Sequence, residues 1–229
     1  MEKATVYFTK EISPEALVRI YQAVGRPLTG KVAVKISTGE PGGHNFLNPQ
    51  LIKGLVQKLN GTIVECNTAY GGKRSNNKDH WQTFKDHGFI DIAACDLMDQ
   101  NGGRALPVQA GFPLKENYVG DHLKNYDSVL ILSHFKGHAM AGLGGALKNI
   151  SIGIASARGK AYIHSAGKTL TGFVPTEQDA FLESMADADR AVLDYVGREH
   201  MRYINVASRL SVDCDCDSHP AEPEMADIG

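Results

Sequence analysis

The sequence predicts an α/β fold, a mostly parallel sheet with helices on both faces and Gly/His-rich loops at the carboxyl rim of its strands. Three observations predict it. Short runs rich in β-branched residues alternate with amphipathic stretches, the pattern of strand–helix units around a parallel sheet. Helix start and stop residues punctuate the amphipathic stretches. Three of the loops that follow strands combine glycine with His, Lys or Arg, and ligands of open parallel sheets sit at the carboxyl ends of strands.

The elements follow in order. ATVYFT (Ala4–Thr9) predicts a strand. SPEALVRIYQAVG predicts a helix, with Ser13 as cap, Pro14 in the first helical position and Gly25 as stop. KVAVKIS (Lys31–Ser37) is the second predicted strand. Asn48-Pro49 opens a helix that runs to Leu59 before Asn60-Gly61, and TIVECN is the next strand. SNNKDHWQTFKDHG predicts a helix ending at Gly88, FIDIAA a strand, and YDSVLILSH (Tyr126–His134) the strongest strand of the chain. A long amphipathic helix is expected from Thr176, as cap, to about Tyr195, and RYINVAS is a late strand. No fixed-period repeat or low-complexity linker divides residues 1–229, so a single α/β domain is expected.

Composition narrows the function classes. The chain has 229 residues, 42% of them apolar, which suffices for a sizeable core. A net charge of −2 and a single tryptophan give no electrostatic or stacking footprint for nucleic acid. No apolar run reaches the roughly 18 residues of a membrane span. The N-terminus shows no signal-peptide core, so a cytoplasmic location is expected. Four cysteines, at 66, 95, 214 and 216, are then thiols or metal ligands rather than disulfides. Cys66 and Cys95 sit in apolar runs and read as core residues. Cys214 and Cys216 do not.

Two stretches carry the chemistry. SHFKGHAMAGLGGALKN, from Ser133, places His134 and His138 four residues apart, a helical spacing at which two imidazoles can share a metal. The Glu of a zinc-protease helix is missing between them. AGLGGALKN fails both the phosphate-loop and the dinucleotide patterns. It remains a glycine loop, with Gly144 and Gly145, entering a short helix whose amides suit an anion. Lys148, in a glycine-rich and partly apolar setting, is a candidate nucleophile or base, and His138 a candidate acid–base group. The second stretch, VDCDCDSHP, offers Cys214, Cys216 and His219 to a soft or borderline ion such as zinc, iron or nickel. Its acids fall at calcium-loop positions through Glu224, but Ser218 replaces the required glycine and prolines break the loop. The bland alternative is an exposed acidic loop. In NTAYGGKRSNNKDH, Lys73 and Arg74 beside paired glycines suit a carboxylate or phosphate.

SHFKGHAMAGLGGALKN, GIASARGK, His164, the CDC run and the closing PEMADIG together resemble the iron–sulfur-centre family known as domain of unknown function 362. TAYGGKRSNNKDH and KVAVK fit as well, so the resemblance spans nearly the whole chain. Many members carry a ferredoxin-like insert after the position of His164. Here HSAGKTLTGFVPTEQDAF has none of its cysteines, which implies no ferredoxin-type cluster and no ferredoxin domain. Members also continue past DIG, which implies a C-terminal truncation, an unpaired sheet edge and homo-oligomers.

The order SH-FKGHAM-AGLGGALKNISIG…H is also similar to that of nickel-pincer lactate racemases. That resemblance implies a cofactor tether at Lys148, a metal ligand at His164 and an acid–base role at His134 or His138. Ile152 stands where that family has proline, and the FKGHAM insertion is longer. The expectation is therefore a metal-binding protein whose divalent ion is held by some of His134, His138, His164, Cys214, Cys216 and His219. It would act on a small-molecule anion as a redox or isomerising enzyme. The alternatives are a non-catalytic metal or small-molecule binding module, and a glycine loop binding an anion without metal. No nucleic-acid or membrane partner is expected.

Overall fold

The computed structural model describes residues 4–217, 219–223 and 225–229. Ser218 and Glu224, both part of the calcium-loop comparison, lie outside them. In chain order the helices are α1 (Pro14–Ala23), α2 (Pro49–Lys58), α3 (Asn77–Asp86), α4 (Ala146–Ile154), α5 (Ala157–His164) and α6 (Gln178–Val196). The strands are β1 (Val32–Lys35), β2 (Thr62–Glu65), β3 (Cys95–Leu97), β4 (Gly103–Pro107), β5 (Glu116–Gly120), β6 (Ser128–His134), β7 (Lys136–His138), β8 (Gly142–Gly144) and β9 (Met201–Val206).

The main sheet has the order β3-β2-β1-β6-β9, and every pairing in it is parallel. A parallel sheet needs cover on both faces, and alternation along the strands supplies it. Val32, Val34, Ile36, Leu130 and Leu132 turn to one face, where Leu17 of α1, Ile52 and Leu55 of α2 and Phe84 of α3 meet them. Ala33, Val129 and Ile131 turn to the other, against Ile150 of α4, Ile163 of α5 and Phe181 of α6. All seven residues of β6 are buried, each large aliphatic side chain among them contributing about 1.5–3 kcal/mol. The first three helices start at side-chain caps. Ser13 Oγ accepts from Ala16 N, Asn48 Oδ1 from Gln50 N and Asn76 Oδ1 from Asp79 N, each cap stabilising by about 1 kcal/mol.

Four differences from the sequence reading have physical causes. Ala4–Thr9 is not a strand; Val6 and Phe8 project into solvent, and the segment pairs with no strand among the described residues. FIDIAA is a turn, and the strand starts after it at Cys95. Phe89 and Ile92 are both buried, three residues apart, and Ile92 N donates to Phe89 O, which is the spacing of a helical turn. α6 begins at Gln178, and Thr176 spends its hydroxyl on the Val174 carbonyl instead of capping. His134 ends β6 while His138 ends β7, so the two rings do not share a helix face.

The strand order reverses between β1 and β6. From β1 the chain steps outward to β2 and β3, then returns to place β6 on the other side of β1. The carboxyl ends at such a reversal open into a crevice where ligands bind. Lys35 and His134 end the two strands there, and among the described residues no helix is long and apolar enough to cross a membrane.

Candidate functional site

The two unusual stretches meet in space. After β6 the chain forms the β7–β8 hairpin, and after β9 it runs on to the cysteines. Gly137 N donates to Ser211 O at 2.8 Å. A Cβ at Gly137 would lie 2.1 Å from the Val212 carbonyl oxygen, so only glycine lets the two backbones approach this closely. Gly137→Ala is therefore expected to destabilise the protein by about 1–3 kcal/mol, as overpacking does. Gly71→Ala, whose Cβ meets nothing within 4 Å, is the near-neutral control, read as the urea midpoint at unchanged slope.

Asp215 fixes how the thiols face. Its carboxylate accepts from His134 Nδ1 at 2.9 Å and from Lys136 Nζ, and its carbonyl accepts from Glu40 N at 3.2 Å. With the central residue held on that side, Cys214 and Cys216 line the cleft, which Asp215 does not. One ligand atom from each of His138, Cys214 and Cys216 then lies within 4.8 Å of the others.

The cluster is electrostatically poised. Lys148 Nζ lies 3.4 Å from Cys214 Sγ. A hydrogen bond from Cys216, followed by the Lys148 charge and a hydrogen bond from His138, outweighs burial and holds the Cys214 thiol well below its usual range. The same contact pushes Cys216 up, because its proton is shared with the Cys214 sulfur. Burial pulls the Lys148 ammonium down, but Cys214 and Cys216 more than offset it, and its pKa is raised. Cys214 is thus the more acidic of the two thiols, Cys216 holds its proton, and Lys148 favours its charged form. The amides of Met140 and Ala141 both donate to His138 Nδ1.

Beneath the cleft is a buried charged floor. Lys35 Nζ, fully buried, donates to Glu65 Oε1 at 2.7 Å, to Asn149 Oδ1 at 2.9 Å and to the Ile36 carbonyl. Three acceptors match its three donors. Glu65 Oε2 accepts from Arg74 at 3.2 Å and from Thr38 N at 3.1 Å. Burial raises the Glu65 pKa, but Lys35 and Arg74 win and hold it far below the usual carboxylate range. Asn149 ties the floor to β6 by donating to Ser133 Oγ and Leu132 O. Gly153 gives Lys35 its space, since a Cβ there would lie 2.8 Å from Nζ.

The residues singled out in the sequence fall into three groups. His138, Cys214, Cys216 and Lys148 come together, and Gly144, Gly145 and His164 line the same cleft. His164 donates Nδ1–H to Lys160 O at 2.7 Å, and burial lowers its pKa to about 4; it is neutral, with a lone pair left on Nε2. His134 also lines the cleft but does not join the cluster. Both its nitrogens face oxygen, Nδ1 the Asp215 carboxylate and Nε2 the Ser208 carbonyl at 2.6 Å, so neither is turned to the thiols. Arg74 is buried and spent on Glu40 and Glu65, Lys73 is exposed outside the cleft lining, and His219 is exposed and outside the ligand cluster. Asp215, Lys136, Lys35, Glu65, Asn149 and Lys160 complete the site without having been singled out. Strand alternation gave no signal for Asp215, because residues 214–217 form a turn in which Asp217 N donates to Cys214 O at 2.9 Å.

The cleft holds about 120 Å³ of space, below the ~300–1,000 Å³ of drug-sized ligand sites. It admits a small anion or a few waters. Lys148 and Lys160 line it, and neither has a carboxylate within ion-pair distance among the described residues.

A parallel sheet whose switch point carries two cysteines, a histidine and a lysine defines an α/β protein with a rim-built site. The chain belongs to the family described as domain of unknown function (DUF362), whose model matches residues 32–229. No curated protein matches the sequence. Among solved structures, the chain is similar to the lactate racemase apoprotein from Thermoanaerobacterium thermosaccharolyticum. That match has 16% identity and a TM-score of 0.50, and covers 86% of this chain and 49% of that one. A crystal structure of a Thermotoga maritima protein matches at 15% identity and a TM-score of 0.49, covering 94% and 52%. At these identities the likeness shows the fold alone. The chain spans about half the length of these structures.

Proposed function

We propose that His138, Cys214 and Cys216 bind a soft or borderline divalent ion of the zinc, iron or nickel type, and that the cleft presents a small anion to it. The carrying observation is the convergence of one imidazole and two sulfurs within 4.8 Å from stretches more than seventy residues apart in sequence. Thiolate and imidazole are the donors such ions prefer. Three protein donors on an open cleft, rather than four in a closed cage, are the pattern of a site with an exchangeable position. This favours an enzyme over a carrier, and Lys160, a cleft-lining cation with no carboxylate within ion-pair distance among the described residues, favours an anionic substrate.

When bound, the ion supplies Lewis acidity. The chain's own residues do the rest. Lys148 and Lys160 hold the anion by charge. His164, neutral with Nε2 open, accepts a proton there. Proton transfer at a small carboxylate-type anion, or its oxidation and reduction, is the reaction class this set serves.

Elemental analysis of protein purified without affinity tag or chelator tests the reading. Near-stoichiometric metal is expected in the parent, with loss in Cys214→Ser and in His138→Ala. His134→Ala is expected to retain the ion more weakly, since His134 acts through Asp215, and orienting groups of that kind change affinity by about 10–100-fold. Absence of metal in the parent after incubation with each ion, or binding indifferent to Cys214→Ser, would overturn it.

A further inference from the structure

We infer that Cys214 and Cys216 form a reversible dithiol–disulfide couple that switches the site off under oxidising conditions. The loss of the metal rests on the reading above; the disulfide itself does not. Both sulfurs line the cleft, and they lie within 4.8 Å of each other. Cys216 N also donates to Cys214 Sγ at 3.2 Å, which keeps the turn folded back on that sulfur. Lys148 Nζ, 3.4 Å from Cys214 Sγ, sets a cation beside one sulfur of the pair, the surroundings that mark an attacking thiol. Sensor cysteines set a nucleophile beside a resolving thiol; here Cys214 is buried in the cleft wall and Cys216, half-buried, lies beside it. The other two cysteines do not share this pairing. Cys66 lines the cleft as well but stands outside the thiol cluster, its thiol donating to the Ile154 carbonyl, and Cys95 lies outside the cleft, against the Ala93 carbonyl.

The oxidant is a low-molecular-weight disulfide of the glutathione class. The Cys214 thiolate attacks one of its sulfurs, forming a mixed disulfide and releasing one thiolate. Cys216 then attacks Cys214 Sγ. The protein disulfide forms, the mixed disulfide breaks, and the Cys216 proton leaves with the second small thiol. Two electrons pass from the two cysteine sulfurs to the oxidant. The ring closed by neighbours separated by a single residue is small and strained. Such a bond has a more oxidising potential than structural disulfides and is reopened by excess thiol. In the disulfide state two of the three soft donors are gone.

The test uses the whole chain, equilibrated in mixtures of reduced and oxidised glutathione and quenched with an alkylating agent. Trypsin releases one peptide, residues 210–229, that contains both cysteines. The expected result is a peptide lighter by two hydrogens with no glutathione attached, reverting under reduced glutathione. Metal content should fall in parallel, and Cys216→Ser should stop at a stable glutathione adduct on Cys214. A peptide that stays reduced across the range, or that carries glutathione in the parent without closing, would overturn the inference. If the reduced parent binds no metal but the peptide closes, the couple stands and the metal reading fails. If metal binds and the peptide never closes, the reverse holds.

Discussion

Glu65→Ala is expected to destabilise the protein by about 3–5 kcal/mol, the cost of removing one partner from a buried ion pair. Glu65 is the only carboxylate that touches both Lys35 and Arg74 among the described residues. Its loss strands a fully buried ammonium at the end of β1 and half-strips a buried guanidinium that Glu40 alone would still hold. The charge cannot move to solvent, because Lys35 is packed against α4 at Gly153. For a chain of this size the melting temperature should fall by roughly 10 °C. The surface Arg104–Asp121 pair is the contrast, since Asp121→Ala should leave the melting temperature nearly unchanged. Differential scanning calorimetry of the two variants checks both. A Glu65→Ala variant as stable as the parent would mean that the floor under the cleft is not the ion-paired network described.

The second large effect is a gain. Asp189 sits on the buried side of α6, its Oδ1 has no hydrogen-bond partner, and burial raises its pKa to about 8. The folded state therefore prefers the protonated form, while the unfolded chain ionises near 3.8. For an acid shifted upward the folded state has its full stability below the unfolded pKa and loses it as pH rises toward the folded one. Each pH unit in that window is worth about 1.4 kcal/mol, so the parent should lose about 2–3 kcal/mol between about pH 5 and pH 7 from this group. Asp189→Asn removes the ionisation and should be the more stable protein at pH 7, with little difference at pH 4. Melting curves of both proteins across that range give the answer. Parallel pH profiles would show that Asp189 is already compensated.

The sheet was legible because its strands are consecutive and obey simple rules. YDSVLILSH has no polar alternation because β6 is covered on both faces, and Ser13-Pro14, Asn48-Pro49 and Asn76 announce helices through groups that lie within a few residues. The three rim loops were legible as well, since topology sends the loop after each parallel strand to one edge. The charged floor was not. Lys35 looks like an ordinary strand-end lysine, and its burial depends on Glu65 and Asn149, 30 and 114 residues away. The cluster was half legible. Thiols and histidines gave its chemistry, but a spacing of four suggested that His134 and His138 act together. Gly137 breaks the helix that reading needs and lets residues 211–212 in against the hairpin. His134 then turns to Asp215, and His138 alone reaches the sulfurs.

The central claim is that two distant stretches build one metal centre, and cobalt(II) titration of the reduced protein tests it most directly. The account predicts saturation at one ion per chain, with thiolate-to-cobalt charge-transfer absorption and the intense visible bands of a four-coordinate sulfur–nitrogen site. At one equivalent of cobalt, both the charge-transfer band and the visible bands should be lost in Cys214→Ser and in His138→Ala. A weak six-coordinate spectrum, or one unchanged in either variant, would contradict it.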